Sequence, residues 1–294
     1  MAQSPAHKFG QIIGDFIEGA IEAILDDFAK KHNLYLDRVG PRPARTGRKV
    51  SWFDEFGNKH DLDYVMEKGG TATNIGKPVA FIESAWRRYT KHSRNKAQEI
   101  QGAILPLSNT YRFSAPFLGV ILAGVFTEGA ITQLTSSGFC VLYFRYESVV
   151  EAFREAGIDA SFDEDTPIAV FQEKVRAWEL LSQDDINKIW LKLQEIQSED
   201  IAIFLESLEK TVNRMIESIR IIPLFGKSYE LQTVKEAIEF IQSNGYNDSN
   251  ETLIKFEITI RYNNGDRIEA SFNEADLAVK FLKQYEEIKL RPAE

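Results

Sequence analysis

Residues 79–86, with the sequence VAFIESAW, decide the fold more directly than any other stretch of the chain. The first four of these residues are apolar, so both faces of a strand formed here would be apolar, because side chains alternate along a strand. Such a strand is typical of the centre of a sheet that is covered on both sides. Glu83 follows at once, which predicts a carboxylate near the end of a central strand.

The first half of the chain, taken outward from this strand, predicts an α/β fold. Apolar spacing and turn residues indicate a helix, three strands, a helix, a strand, a helix and a strand, in that order. Pro106 is predicted to end the second helix, and Thr127 is predicted to cap the third. The last strand–helix–strand connection is short, which predicts a parallel pair at the end of an otherwise antiparallel sheet. The helices are expected at 9–31, 89–106 and 127–137, and the strands at 49–57, 61–68, 79–86, 117–125 and 138–146.

The whole chain divides into three predicted parts. Residues 1–150 form the α/β domain, residues 151–220 are mostly helical, and residues 221–294 form a small α+β unit. In the last part, residues 253–272 predict a hairpin with one apolar and one polar face. No internal repeat is evident.

The composition excludes several classes of protein. Cys140 is the single cysteine among 294 residues, so neither an internal disulfide nor a cysteine-based zinc site is expected. No run of about 18 apolar residues occurs, so no membrane partner is expected. These features predict a protein of the reducing cytoplasm.

Two basic clusters interrupt a chain whose formal net charge is −9. A polyanion could bind at these clusters while the acidic remainder repels non-specific contacts. Either cluster could instead be an ordinary solvated surface. The first comprises Arg38, Arg42, Arg45, Arg48 and Lys49, and the second comprises Arg87, Arg88, Lys91, Arg94 and Lys96.

Two acidic residues stand on neighbouring predicted strands. If the strand with Asp63 pairs with the strand with Glu83, their carboxylates converge at the end of the sheet. Converging carboxylates repel each other and are costly to bury unless a divalent cation lies between them. Oxygen ligands of this kind suit Mg²⁺, which is often held by one or two carboxylates plus a phosphate. The pair therefore predicts a metal site that could serve phosphodiester hydrolysis.

The motif DLDYV with Asp63, the motif VAFIESAW with Glu83, and the order of elements around them resemble the PD-(D/E)xK nuclease superfamily, which includes most type II restriction endonucleases. The resemblance covers roughly the first half of the chain. It implies a restriction-endonuclease-like mixed sheet flanked by helices, with residues 1–150 as the nuclease core. It further implies a Mg²⁺-dependent endonuclease that cuts double-stranded DNA at specific sites, acts as a homodimer and has a cognate DNA methyltransferase.

One position departs from the superfamily pattern. The lysine of the motif would stand two residues after Glu83, where this chain has Ala85. Lys91 or Arg87 is predicted to take its catalytic role, and Lys91 is preferred because an arginine stays protonated and cannot act as a base. The predicted DNA contacts are Arg42, Arg45, Arg48, Arg88, Lys91, Arg94 and Lys96.

Several alternatives stay open at this point. Glu18 or Glu22 could add a carboxylate to the site or could simply be solvated, and His60 and His92 could contact a phosphate or pack elsewhere. Ala85 also leaves room for a nuclease-fold protein that binds DNA without cutting it. A third possibility is an interaction or scaffold protein that works through its acidic helical half.

Overall fold

The computed structural model describes residues 4–224, 227–246 and 253–286. It shows an α/β protein with a mixed five-stranded sheet flanked by helices and a separate four-stranded antiparallel sheet. Contacts divide the chain into two compact units, Met1–Leu208 and Glu209–Glu294. This division differs from the predicted boundaries after residues 150 and 220, because helices beyond residue 150 pack on the first sheet. The rings of Phe117 and Phe204, for example, lie 5.4 Å apart.

The first unit contains most of the helices and strands. Its strands are β1 (Leu34–Arg38), β2 (Val50–Phe53), β3 (Lys59–Leu62), β4 (Tyr64–Lys68), β5 (Lys77–Arg87), β6 (Phe117–Gly124) and β7 (Cys140–Arg145). Its helices are α1 (Pro5–Lys31), α2 (Ser93–Thr110), α3 (Glu128–Ser136), α4 (Tyr146–Arg154), α5 (Ile168–Glu179), α6 (Gln183–Ile196) and α7 (Ser198–Val212), the last of which runs into the second unit.

The strand order in the five-stranded sheet is β1-β4-β5-β6-β7. β5 is the central strand, as predicted, and its buried residues include Phe81 and Ile82 on opposite faces. The prediction of one parallel pair was incomplete, because β5 and β6 are parallel as well as β6 and β7. The helix α2 makes this difference, since it returns the chain along β5 before β6 begins.

Two further predictions in this region need correction. β1 was not predicted, because its sequence LYLDR has only three apolar residues, and the predicted strand 61–68 is split into β3 and β4 around Asp63. Pro106 does not end α2, since the buried Leu107 extends the apolar face and the helix continues to Thr110. Thr127 does cap α3, where its side chain accepts a hydrogen bond from the amide of Ala130.

A β-bulge sets the register between β4 and β5. Glu67 pairs with Pro78, but the next pair along is Met66 with Ala80, so Val79 is the extra residue. Proline has no amide hydrogen for the ladder, and it is tolerated in sheets at such irregularities. Beyond the bulge, the register continues to the pair of Tyr64 and Ile82.

A buried ionic network lies beside this bulge. Arg42 forms ion pairs with Glu67 at 2.6 Å and with Asp37 at 2.8 Å, and it donates hydrogen bonds to the carbonyls of Thr71 and Asn74. The Arg42 residue is only 5% exposed, so its guanidinium is satisfied inside the protein. The prediction that Arg42 contacts DNA is therefore corrected: this residue ties the loop after β1 to the bulged end of β4.

The second unit has strands β8 (Ile216–Ile222), β9 (Tyr229–Leu231), β10 (Phe256–Tyr262) and β11 (Arg267–Phe272), and helices α8 (Val234–Gln242) and α9 (Ala275–Lys283). The predicted hairpin is present as β10 and β11, with Phe256 and Ile258 buried. The element order strand, strand, helix occurs twice in this unit. The order β11-β10-β8-β9 in the sheet places β8 and β10, the first strand of each copy, side by side. This duplication was missed in the sequence.

Within the described ranges, no helix combines the length and the apolar character that crossing a bilayer requires.

Replacing Arg42 with alanine should destabilise the protein strongly. The change would leave the buried carboxylate of Glu67 without its cation and Asp37 with Arg45 alone, and breaking a buried ion pair in this way typically costs about 3–5 kcal/mol. Arg48, which is exposed in the same loop, provides the matched control. Urea unfolding should show a much lower free energy of unfolding for Arg42→Ala and a change within about 0.5 kcal/mol for Arg48→Ala. Equal effects of the two substitutions would contradict the assignment.

Candidate active site

The structure brings Asp63 and Glu83 together at one end of the sheet. Asp63 stands between β3 and β4, and the register of Tyr64 with Ile82 makes Asp63 and Glu83 the next pair across the strands. The amide of Asp63 donates a hydrogen bond to Oε1 of Glu83 at 3.2 Å. Oδ2 of Asp63 accepts from the amide of Ser84 at 2.8 Å and from its hydroxyl at 3.0 Å. The backbone at Asp63 thus holds the carboxylate of Glu83, and the backbone just after Glu83 holds the carboxylate of Asp63.

Glu83 is buried, with 6% of its surface exposed. This burial, followed by the negative charge of Asp63, raises the pKa of Glu83 to about 8, against the opposing effect of Lys96. Glu83 is therefore mostly protonated at neutral pH when no metal ion is bound beside it. A divalent cation beside it would favour the ionised form, because an opposite charge stabilises a carboxylate.

Lys96 is the cation that the structure places at this pair. Its ammonium lies 3.8 Å from Oε2 of Glu83 and 3.9 Å from Oε2 of Glu99. Lys96 belongs to the first turn of α2, one helical turn before the buried Ile100, so it projects from the face of α2 that packs on the sheet. The sequence prediction had given Lys96 a DNA contact and had missed this position beside the acids.

The two residues predicted to replace the motif lysine lie elsewhere. Lys91 is exposed in a short 3₁₀ turn, Thr90–His92, and not in a helix. Arg87 ends β5, and its guanidinium donates a hydrogen bond to the carbonyl of Trp86 at 2.8 Å. Arg87 lines the same cleft as Asp63 and Lys96, whereas Lys91 does not. The preference for Lys91 over Arg87 is not supported by this placement.

An open cleft of about 930 Å³ reaches Asp63 and Lys96, next to the buried Glu83. One wall is α1, which contributes Glu18 opposite Asp63. Partial burial, and then the charge of Asp63, raises the pKa of Glu18 above its usual value. Glu22, the other candidate on α1, instead forms an ion pair with Arg38 at 2.7 Å. Of the two, Glu18 is the one that faces the site.

The remaining predicted contacts are dispersed. His60 binds Asp54, with 3.0 Å between Nε2 and Oδ2, and not the acidic pair. Arg45 forms an ion pair with Asp37 at 3.1 Å, and Arg88 donates to the carbonyl of Phe162 while stacking over the ring of Tyr146. The side chains of Arg48, Lys91 and Arg94 are exposed, and the side chain of His92 lies outside the described part of the structure.

The carboxylates fit a hydrated Mg²⁺ better than a fully caged metal. No group of three or more histidine, cysteine, aspartate or glutamate residues suited to a cation occurs among the described residues. Mg²⁺ commonly keeps several waters and binds one or two carboxylates plus a phosphate of the substrate. Asp63 and Glu83 supply hard oxygen donors of this kind, and burial and the charge of Asp63 outweigh Lys96 in raising the pKa of Glu83.

No family model matches this chain, and no curated protein matches it. A solved structure described as the crystal structure of a protein of unknown function, AF1548, matches 67% of this chain and 97% of that chain. The sequence identity is 13% and the TM-score is 0.29. A similarity at this level carries no argument about fold family or function.

The buried carboxyl of Glu83 should make stability depend on pH. The folded chain keeps this proton up to about pH 8, whereas the pKa without the protein environment is 4.5, so the folded state binds more protons between these values. The free energy of unfolding of the wild type should therefore fall, relative to Glu83→Gln, by roughly 1.4 kcal/mol per pH unit as pH rises from about 5 to 8.

Urea unfolding at several pH values, without metal, measures this difference. Glu99→Gln is the matched control, because Glu99 contacts the same lysine but its side chain is 63% exposed. Its pH profile should run parallel to that of the wild type. Parallel profiles for Glu83→Gln and the wild type would rule out a buried protonated Glu83.

Proposed function

We propose that this chain is a Mg²⁺-dependent nuclease that hydrolyses DNA phosphodiester bonds and has a restriction-endonuclease-like core. The observation that supports the proposal best is the grouping of Asp63, Glu83 and Lys96 at the end of a central strand. Two carboxylates and a lysine are the donor set and the charge that this chemistry requires. The cleft beside them gives a substrate access.

Each of the three side chains has a distinct part in the proposed reaction. Asp63 and Glu83 would hold the cation, which would supply activation of a water molecule and stabilisation of negative charge on the phosphate. Lys96 donates hydrogen bonds to the phosphate oxygens and stabilises the charge that develops on them, because its ammonium stands next to Glu83. The hydrogen bonds from Ser84 fix the orientation of the Asp63 carboxylate.

The position of Lys96 also explains how the site could work with Ala85. Ala85 lies on the same face of β5 as Glu83, and it is buried in the core that α2 covers. The positive charge therefore comes from α2 and not from the strand. This arrangement weighs against a protein that binds DNA without cutting it, since the cation missing from β5 is present in space.

Restriction of double-stranded DNA is the more specific form of the proposal. Cutting both strands at a symmetric sequence calls for two active sites, so this form includes a homodimer. It also includes a partner DNA methyltransferase that protects the host DNA. These two partners are proposed from the resemblance to type II restriction enzymes alone.

The nuclease proposal predicts that Lys96→Met abolishes most of the activity. Incubation of the purified chain with mixed plasmid and single-stranded circular DNA should give fragments with Mg²⁺ or Mn²⁺ and none with a chelator. Lys96→Met, Asp63→Asn and Glu83→Gln should each lower the rate by about 100-fold or more, in line with the loss of a group that acts on the reacting atoms.

Lys192→Met provides the matched control. Lys192 also lies on a helix, is 25% exposed and pairs with a glutamate three residues on, as Lys96 does with Glu99. Its rate should stay within about twofold of the wild type, in line with the small effect of surface substitutions. Intact DNA under all metal conditions would refute cleavage, and a larger loss in Lys91→Met than in Lys96→Met would transfer the role to Lys91.

A further inference from the structure

The cleft is long and chemically uneven. Its α1 wall extends from Ala6 to Ile21, which is about 22 Å at the rise of an α-helix. Asp63 and Lys96 lie at the Glu18 end, and the buried Glu83 lies next to them. The other end is apolar and aromatic, with Phe162, Ile168 and Phe171. A ligand that reaches the carboxylates therefore also meets an apolar surface some distance away.

The cleft matches a single strand in length. Its α1 wall of about 22 Å corresponds to six or seven nucleotides at a stacked spacing of about 3.4 Å. Its volume of about 930 Å³ is that of a pocket for a small or extended ligand, so only part of each nucleotide would enter it. A duplex, on the order of 20 Å across, could lie only at its mouth.

Aromatic side chains line the cleft between its two ends. Trp86 is partly exposed there, and Tyr89 follows at its edge with 36% of its surface exposed. The guanidinium of Arg88 lies 5.1 Å from the ring centres of both Tyr89 and Phe162. Aromatic rings interleaved with arginine are the surfaces on which single-stranded bases stack.

The lining of the cleft carries more acidic than basic side chains. Arg87, Arg88 and Lys96 line it together with acidic side chains on both walls. The acidic lining consists of Asp15, Glu18, Asp63, Asp163 and Glu164. This lining does not by itself attract a phosphate backbone, so binding of a strand must come from stacking and from the cation proposed at Asp63 and Glu83.

Glycine keeps the apolar end of the cleft open. A Cβ atom added at Gly10 would meet nothing within 4 Å, whereas one added at Gly14 would lie 3.6 Å from the Trp86 ring. The helix α1 therefore packs against Trp86 at Gly14, whereas the position of a Cβ atom at Gly10 has open space around it. A larger side chain at Gly10 would project into the cleft without disturbing the fold.

We propose that the cleft binds a single-stranded segment of DNA, such as an unpaired end or flap, with its bases stacked along the aromatic wall and a phosphate at Asp63 and Glu83. The inference rests on the proposed nuclease function and names the substrate of that site. It departs from the restriction form of that proposal, because duplex DNA would then serve only where its strands separate.

A binding experiment with matched glycine substitutions tests the inference. The probes are fluorescent oligothymidine of about 16 nucleotides, the upper site size of common single-strand-binding folds, and a blunt duplex of equal length, with Ca²⁺ in place of Mg²⁺. The wild type should bind the single strand at least about tenfold more tightly, and with a shallow dependence on salt because few phosphates are neutralised. Gly10→Leu should weaken this binding about tenfold.

Gly102→Leu is the control, because Gly102 is a helical glycine with open space around it that does not line the cleft. It should bind as the wild type does. Equal affinity for duplex and single strand, or equal effects of the two substitutions, would overturn the inference.

The same preparations separate this inference from the nuclease proposal. Hydrolysis of duplex DNA that is unaffected by Gly10→Leu would overturn the single-strand inference and leave the nuclease. Single-strand binding that is sensitive to Gly10→Leu, without hydrolysis in Mg²⁺ or Mn²⁺, would overturn the nuclease and support the inference.

Discussion

A β-bulge in the central strand decides which residue of β5 lies opposite Asp63. Before the bulge, Glu67 pairs with Pro78, and if Val79 then paired with Met66 in the same register, Asp63 would lie opposite Ile82. The bulge moves the pairing by one residue and sets Asp63 opposite Glu83 instead. Because a shift of one residue exchanges the faces of a strand, the bulge is what brings the two carboxylates together.

The ionic network around Arg42 lies directly at this bulge, because Arg42 pairs with Glu67. Glu67, at the bulge, is fully buried and depends on Arg42 for its counter-charge, and the amide of Gly76 also donates to it at 2.6 Å. Glu67 and Glu83 are thus two buried acids near opposite ends of the paired strands β4 and β5, and they differ in how closely a cation approaches them. Glu67 has a cation in direct contact, whereas Lys96 stays 3.8 Å from Glu83. The difference leaves Glu83 in need of charge, which suits a metal ligand and would be costly in a purely structural residue.

The sequence predicts the central strand and the acidic pair because both depend on local pattern. Residues 79–82 are apolar on both faces, and the two acids lie on neighbouring strands. The role of Lys96 was beyond reach, since it depends on where α2 begins and which of its faces packs on the sheet, although its spacing of four residues from Ile100 was a usable signal. The prediction that Arg42 contacts DNA was wrong for a related reason. A run of basic residues suggests an exposed surface, and the sequence does not show that Asp37 and Glu67 are the buried partners of Arg42.

The internal use of basic residues limits how the protein can attract a polyanion. Arg42 and Arg45 are paired with buried or half-buried acids, and Lys49 binds Asp61 at 2.8 Å, so most of the first basic cluster serves the fold. The cleft itself is lined by more acidic than basic side chains, so attraction for a phosphate there depends on the cation proposed between Asp63 and Glu83. If the proposed function holds, metal and nucleic acid should strengthen each other's binding at this site, as linkage requires. Glu83 would have to lose its proton to bind the metal, so under the same proposal both affinities should rise with pH until that proton is gone.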